Sequence, residues 1–257
     1  MKIGYDILGN IAILKFDRSI KVREKKRFAD EFLRKNKSVK TVVEKTGKFT
    51  GRLRIQKTKY VAGEKTKEAL YKENGCIFRF NVDSCYFSSR LASERLEIAK
   101  KIKKKENVLV MFGGIAVYAI VIAKLSKPRK VVSAEISKEC NKYARINIKR
   151  NKVGSIVEII QGDVKKKIPL VKEKFDRIIM PRPNLKDSFL DIAFKKIKAK
   201  GIINYYGFYK EIEVNKLREL IEQEAKKAKR KIKILRIKKA GDIAPYKFRY
   251  RAAIKVL

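Results

Sequence analysis

The chain opens on alternating apolar and polar residues, "IGYDILGNIAILKF", interrupted at Gly9–Asn10. Successive side chains of a strand point to opposite faces, so this pattern predicts a hairpin turning at Gly9–Asn10. The period then changes. Over residues 21–38, "KVREKKRFADEFLRKNKS", apolar positions recur at helical spacing in a basic background, which predicts an amphipathic helix. Short strands are expected in "VKTVVEKTG", "FTGRLRIQKTKYVAG" and "CIFRFNVDSCYF". Residues 1–85 therefore read as a small α+β domain.

A second domain is expected over residues 86–257. It starts with a helix, "SRLASERLEIAKKIKKK", in which Leu91, Ile98 and Ile102 form one apolar stripe and Glu94 flanks it. The strands "NVLVMF", "KVVSAEI", "VEIIQGD", "FDRIIM" and "GIINYYGF" follow. Helices are expected between them in "AVYAIVIAKLS", "KECNKYARINIKRNKV" and "LKDSFLDIAFKKIK". A long helix, "VNKLRELIEQEAKKAKRK", and two strands, "IKILRIKKAG" and "YKFRYRAAIKVL", end the chain. Strands alternating with helices predict an α/β fold with a doubly wound parallel sheet. A hairpin after such a sheet resembles the Rossmann-like class I methyltransferases.

Charge adds a partner. The 257 residues carry 67 Lys and Arg against 27 Asp and Glu, a formal charge of +40. Such an imbalance points to a polyanion, and nucleic acid is the expected one. Histidine is absent, so acid–base chemistry falls to Glu, Asp, Lys, Tyr or Cys. Cys76, Cys85 and Cys140 have no metal-binding spacing, and neither a metal nor a disulfide framework is expected. The longest apolar run, "VLVMFGGIAVYAIVIA", contains Gly113–Gly114 and reads as strand–turn–helix, not as a membrane span. With no signal-peptide pattern at the N-terminus, a cytoplasmic monomer is expected.

Gly113–Gly114 ends the first strand of the doubly wound sheet, where glycine permits a tight turn beside a nucleoside. Glu135 ends the second strand about twenty positions later, a spacing that suits a carboxylate accepting ribose hydroxyls. Asp163 ends the third strand, near where an adenine amino group would lie; a turn or helix cap is its other reading. The candidate cofactor-binding residues are Phe112, Gly113, Gly114, Glu135, Ile136, Asp163 and Val164. The G-x-G-x-x-G fingerprint of NAD sites is absent, and the terminal hairpin and the fourth-strand exit "IIMPRPN" favour S-adenosylmethionine.

These residues belong to a larger resemblance. "CYFSSRLASER", "VMFGGIAVYAIVIAK", "GDV", "FDRIIMPRP" and "GIINYYGF" resemble the archaeal and eukaryotic tRNA guanine-37 N1-methyltransferases. So do "IGYDILGNIAIL", "GRLRIQKTKYVAGEKT" and "KENGCIFRFNV", in the order of that family's middle domain. The resemblance covers nearly the whole chain. It implies S-adenosylmethionine as methyl donor, the tRNA anticodon stem–loop as partner, and Arg54 and Glu94 as catalytic residues. Tyr86, Arg90, Pro181 and Asn184 are the expected substrate contacts. The family's small N-terminal domain has no recognisable counterpart, and Met1 opens into the middle domain.

Three positions depart from the family pattern. Val110 replaces an aspartate, Ala116 replaces a glycine, and Pro181-Arg182-Pro183-Asn184 stands where the family has Asn-x-Pro-Lys. The last leaves the target base and the product open. A wyosine-pathway enzyme, methylating the tricyclic precursor or transferring an aminocarboxypropyl group, is one alternative. A non-catalytic RNA-binding protein is another.

The chemistry fits an enzyme without histidine. Guanine N1 holds a proton at neutral pH, so a base must remove it as the methyl group arrives, and a cation must stabilise charge moving onto O6. Glu94 and Arg54 suit these tasks. The other reading of Glu94 is an ion pair with Arg90 or Arg95; that of Arg54 is a solvated strand arginine. Tyr86 and Phe87 are candidates to stack on a flipped base, or else core residues. Tyr205 and Tyr206 are assigned to the core.

Overall fold

The computed structural model describes residues 3–47 and 50–257. The chain divides into two compact units, one ending at Ser89 and one running from Arg90 to Leu257.

In the first unit the expected hairpin forms: β1 (Gly4–Leu8) and β2 (Ile11–Lys15) pair antiparallel about Gly9–Asn10. Helix α1 (Val22–Lys35) follows, with Glu24 accepting the Lys21 N–H at its start and Arg34 and Lys35 in its last turn, both favourable to the helix dipole. The chain returns in β3 (Thr41–Lys45), parallel to β2, and β4 (Thr58–Gly63) adds antiparallel. Ala29 and Phe32 of α1 pack on Ala12, Leu14, Val42 and Ala62 of this sheet. A separate hairpin, β5 (Glu68–Glu73) and β6 (Cys76–Asn81), turns at Asn74 and Gly75, both left-handed.

The expected strand "FTGRLRIQKTKYVAG" is mostly not a strand. Phe49, its first residue, lies outside the described residues. Gly51 and Arg54 are left-handed, with φ of 66° and 52°, and an isolated bridge joins Thr50 to Ile55. Left-handed residues break a pleated ribbon, so the segment turns until β4 begins at Thr58.

The second unit opens with α2 (Ala92–Lys100). A parallel series follows: β7 (Asn107–Met111), α3 (Val117–Leu125), β8 (Lys130–Glu135), α4 (Lys138–Arg150), β9 (Val157–Gln161), α5 (Val164–Lys167) and β10 (Phe175–Met180). Then come α6 (Leu190–Lys196), β11 (Ile197–Lys210), α7 (Asn215–Lys227), β12 (Ile232–Ala244) and β13 (Lys247–Val256). Helices α2 and α6 are shorter than the expected stretches. The sheet order is β12-β13-β11-β10-β7-β8-β9. All contacts are parallel except those of β13, which runs antiparallel to β11 and β12. The expected doubly wound α/β sheet with a terminal hairpin is therefore present.

Residues 117–123 of α3 are all buried, as an apolar helix enclosed by a sheet and its neighbours should be. On the other face, Leu190 and Ala193 of α6 and Leu217, Ile221 and Ala225 of α7 complete the core. The chain runs outward from β7 to β9 and then returns to β10 on the other side of β7. Ligands of open α/β sheets bind at such a reversal, outside the carboxyl ends of the strands.

The β1–β2 turn also carries a structural test. Asn10 Oδ1 accepts the Leu70 N–H at 2.7 Å, tying the turn to β5. A Cβ on Gly9, whose φ is +62°, would lie 1.9 Å from the Leu70 carbonyl oxygen. Gly9→Ala should destabilise the protein by roughly 2–4 kcal/mol in urea unfolding, from backbone strain plus the clash.

Candidate active site

At the carboxyl end of β7 the backbone takes an unusual course. Phe112, Gly114 and Ala116 are all left-handed, with φ of 62°, 57° and 65°. The N–H groups of this turn bond within the protein: Gly113 donates to the Ala134 carbonyl and Ala116 to that of Gly113, both at 2.9 Å. Gly113 is demanded by packing: a Cβ there would lie 2.1 Å from Ser133 Oγ on β8. Ala116 occupies the position where the resemblance expects glycine, in a conformation that costs an alanine roughly 1 kcal/mol.

Glu135, at the end of β8, faces this turn. Its Oε2 accepts the Gly114 N–H and its Oε1 the Ser137 N–H, both at 2.8 Å. A carboxylate oxygen accepts more than one hydrogen bond, a chemistry that suits ribose hydroxyls. Asp163 caps α5 by accepting the Lys165 N–H at 2.8 Å. Ile136 is half-buried, whereas Val164 is buried in the core beneath the strand ends. The tight turn and Glu135 fit a nucleoside cofactor. Glu135 would hold its ribose and the 112–114 turn its flank, while Asp163 stands at the next strand end.

Glu94 is buried on α2 and belongs to an ionic cluster. Its Oε1 accepts hydrogen bonds from Tyr206 Oη at 2.7 Å and from Arg251 Nη1 at 2.5 Å. Lys238 Nζ lies 3.5 Å from its Oε2. Arg251 and Lys238 thus join Tyr206 as partners of Glu94. One turn along α2, Glu97 accepts from Arg251 Nη2 at 2.5 Å, from Lys101 at 2.7 Å, and from Lys238. Burial opposes ionisation of Glu97, but these hydrogen bonds outweigh it and hold its carboxyl well below the usual range. Burial, with the neighbouring Tyr118 and Glu94, pushes the Tyr206 phenol well above its usual value, so Tyr206 stays a donor. Tyr118 Oη in turn donates to Tyr206 Oη at 3.3 Å.

Sheet register locates this cluster. Tyr206 and Arg251 are directly opposed on β11 and β13, and Tyr205 pairs with Met180, the last residue of β10. The two residues that hold Glu94 therefore lie one position beyond the carboxyl end of β10. Sequence reasoning placed Tyr206 in the core but missed its bond to Glu94, and it missed Arg251, Lys238 and Glu97. A signal was available: Arg249 and Arg251 alternate with Phe248 and Tyr250, which puts cations on a buried sheet face where they need acids.

The "PRPN" segment forms a loop after β10. Pro181 is half-buried and Asn184 exposed. Arg182, overlooked in the sequence, is buried and donates to the carbonyls of Leu185 and Asp187. In the first unit, the Arg54 guanidinium lies over the Tyr86 ring, 4.3 Å from its centroid. Phe87 is half-buried and stacks on Phe80, with centroids 4.7 Å apart. Arg90 is exposed at the start of the second unit. Among the described residues no helix is long and apolar enough to cross a membrane, and no three His, Cys, Asp or Glu are grouped to hold a metal ion.

The TRM5/TYW2 methyltransferase domain profile matches residues 69–235, and the TYW2 N-terminal domain profile matches residues 1–66. The chain belongs to the TRM5/TYW2 methyltransferase family. The cofactor of this family is S-adenosylmethionine, as the sequence indicated. Trm5b of Pyrococcus abyssi, a tRNA (guanine(37)-N(1))-methyltransferase, is 36% identical over 205 residues, spanning 80% of this chain and 60% of that protein. Its crystal structure matches with a TM-score of 0.87 at 33% identity, covering 98% of this chain and 74% of that one. Taw22 of Nanoarchaeum equitans, a tRNA (guanine(37)-N(1))/4-demethylwyosine(37)-methyltransferase, is 32% identical, covering 99% of this chain and 100% of its own. TYW2 of Methanocaldococcus jannaschii, solved with AdoMet, has a TM-score of 0.74 at 25% identity, covering 99% and 100% of the two chains.

The paired acids on α2 give a pH test. A carboxyl whose folded pKa is depressed stabilises the fold above its unfolded pKa, and that contribution is lost as pH falls toward the folded value. Glu97→Gln should therefore lower stability by about 1–2 kcal/mol at neutral pH. The gap to the parent should narrow as pH drops below about 4, followed by thermal melts across the acid range.

Proposed function

We propose that the protein methylates N1 of guanosine 37 in tRNA, using S-adenosylmethionine. The observation that carries this reading is the placement of Glu94, anchored through one oxygen by two residues that lie one position beyond the carboxyl end of β10. When bound, S-adenosylmethionine supplies a methyl group activated by its sulfonium. Glu135 and the 112–114 turn hold and orient it. Glu94 accepts the N1 proton through Oε2, which Tyr206 and Arg251 leave unbonded and Lys238 approaches to 3.5 Å. Arg54 donates to O6, where charge grows as N1 loses its proton. Most of the remaining acceleration is positioning.

A second reading has its own observation. Proline at position 181 has no side-chain donor or acceptor where the family pattern has asparagine, so the site reads the base edge differently. Methylation of the tricyclic wyosine precursor at the same tRNA position fits that change, and so does the named activity of Taw22. Nucleoside mass spectrometry separates the two: tRNA bearing guanosine 37 and tRNA bearing 4-demethylwyosine 37 are each treated with protein and S-adenosylmethionine. A methyl gain on guanosine supports the first reading. A methyl gain on 4-demethylwyosine alone favours the second, and an aminocarboxypropyl gain on either overturns methylation.

Catalysis should fail selectively in two variants. Glu94→Gln keeps an acceptor for Tyr206 and leaves Glu97 to Arg251, so stability should fall by only about 1–2 kcal/mol. Single-turnover methyl transfer should fall roughly 10²-fold or more, because the amide takes no proton. Arg54→Ala should slow transfer similarly. Parental rates from Glu94→Gln with the same stability loss would make Glu94 a structural ion-pair member only.

Cofactor binding is tested apart from catalysis. Glu135→Ala removes charged hydrogen bonds to the ribose and should weaken S-adenosylmethionine binding by roughly 1.5–3 kcal/mol in calorimetry. Tight NAD binding without S-adenosylmethionine binding would overturn the cofactor assignment.

A further inference from the structure

The last three long strands overshoot the sheet. β10 ends at Met180, paired with Tyr205, but β11 continues from Tyr206 to Lys210. At about 3.3 Å per residue that extension is roughly 17 Å. β13 pairs with it throughout, starting at Lys247, and β12 runs alongside to Ala244. The three strands form a flange beyond the carboxyl edge, on the side where the cofactor turn and Glu94 lie. The 245–246 turn is its tip.

The tip carries three features that cost stability. Tyr246 is 79% exposed and left-handed, with φ of 56°. A bulky residue in that region is an outlier where glycine or asparagine would turn without strain. Ile212 is 89% exposed beside it; the Glu211 N–H donates to the Tyr246 carbonyl at 3.1 Å. Lys210 and Lys247 are directly opposed across the β11–β13 ladder, and like charges so placed repel. Retained strain at an exposed site points to function.

One occupant answers both the exposed ring and the lysine pair. A polyanion between Lys210 and Lys247 would relieve their repulsion, and an aromatic face in water suits an unpaired base. Nearby cations already lie over rings: Lys239 is 4.0 Å from the Phe248 centroid, and Arg249 is 5.3 Å from that of Phe208. We propose that the flange tip docks the single-stranded loop of the RNA substrate, with a base stacked on Tyr246 and a phosphate between Lys210 and Lys247. This inference rests on the reading of the protein as a tRNA-modifying enzyme. It names which part of the chain grips the loop.

The test uses the full chain and a synthetic anticodon stem–loop with guanosine 37, with binding followed by fluorescence anisotropy. Tyr246→Gly relieves the left-handed strain, so its melting temperature should match or exceed the parent's while its Kd rises about tenfold. Tyr246→Phe keeps the ring and should bind within twofold of the parent. Lys247→Gln should reduce the slope of log K against log salt by about one, whereas Tyr246→Gly should leave the slope unchanged. Binding by Tyr246→Gly within twofold of the parent overturns the proposal. So does a parent dimer that Tyr246→Gly converts to monomer with RNA affinity intact, since the tip would then join two copies. A parent that binds the stem–loop but transfers no methyl group overturns the reaction assigned above, and the Tyr246 comparison is still decided by binding. A parent that binds no RNA overturns both.

Discussion

Arg251 is 2% exposed, and a guanidinium so buried must be paired. This requirement organises the second unit. Two carboxylates one helical turn apart, Glu94 and Glu97, each accept from one arm of the guanidinium. Residues three apart share a helix face, so α2 is fixed in rotation over β11 and β13. Lys238 on β12 closes the cluster. Removing any one member leaves another charge poorly compensated in a low-dielectric setting, so the group acts as a unit. A hydrophobic substitute would pack as well, but it would not hold a carboxylate oxygen in one orientation.

That anchoring bears on the chemistry proposed for Glu94. A free glutamate samples several rotamers and must be ordered before it can take a proton. Here Tyr206 and Arg251 have already fixed one oxygen, and the proposed acceptor is the other, which Lys238 approaches to 3.5 Å. Backbone strain does comparable work at the cofactor turn. Phe112 and Ala116 sit in left-handed conformations within five residues of each other, where β7 must turn sharply past Ser133 on β8. Strain concentrated at the strand reversal is consistent with a backbone shaped to approach a ligand.

Much of the fold was legible because its signals are local. The alternation of strand and helix periods from residue 107 onward describes the doubly wound sheet, and Glu135 was placed by its distance from Gly114. Errors arose where local patterns mislead. "GRLRIQ" alternates like a strand, yet Gly51 and Arg54 are left-handed and turn the chain. β5, "EALYKE", is short and rich in charge, so it escaped notice although it pairs fully with β6. Contacts that join distant segments leave no period at all. The bond from Arg251 to Glu94 spans 157 positions. Only the oddity of arginines on the inner face of a central strand hinted at it. Sequence named Glu94 through its resemblance block but did not find Arg251 and Lys238, which come from strands far along the chain.

β11 and β13 carry both kinds of feature. Midway along them Tyr206 and Arg251 grip Glu94; at their far end Lys210, Lys247 and the adjoining Tyr246 reach into solvent. Between Lys247 and Arg251 the two strands are paired in continuous register. A paired ladder resists bending in its own plane, so the span from the tip to the carboxylate, about 14 Å along the strand, is set by strand geometry. A loop is free to vary that distance and a ladder is not. What the ladder supplies is a fixed ruler and not a signal: an RNA loop held at the tip would stand at a defined distance from Glu94. This gives a physical reason for strands of 14 and 10 residues in a sheet whose central strands have five or six. The core needs only the shorter length, and the excess projects toward the side on which substrate must arrive.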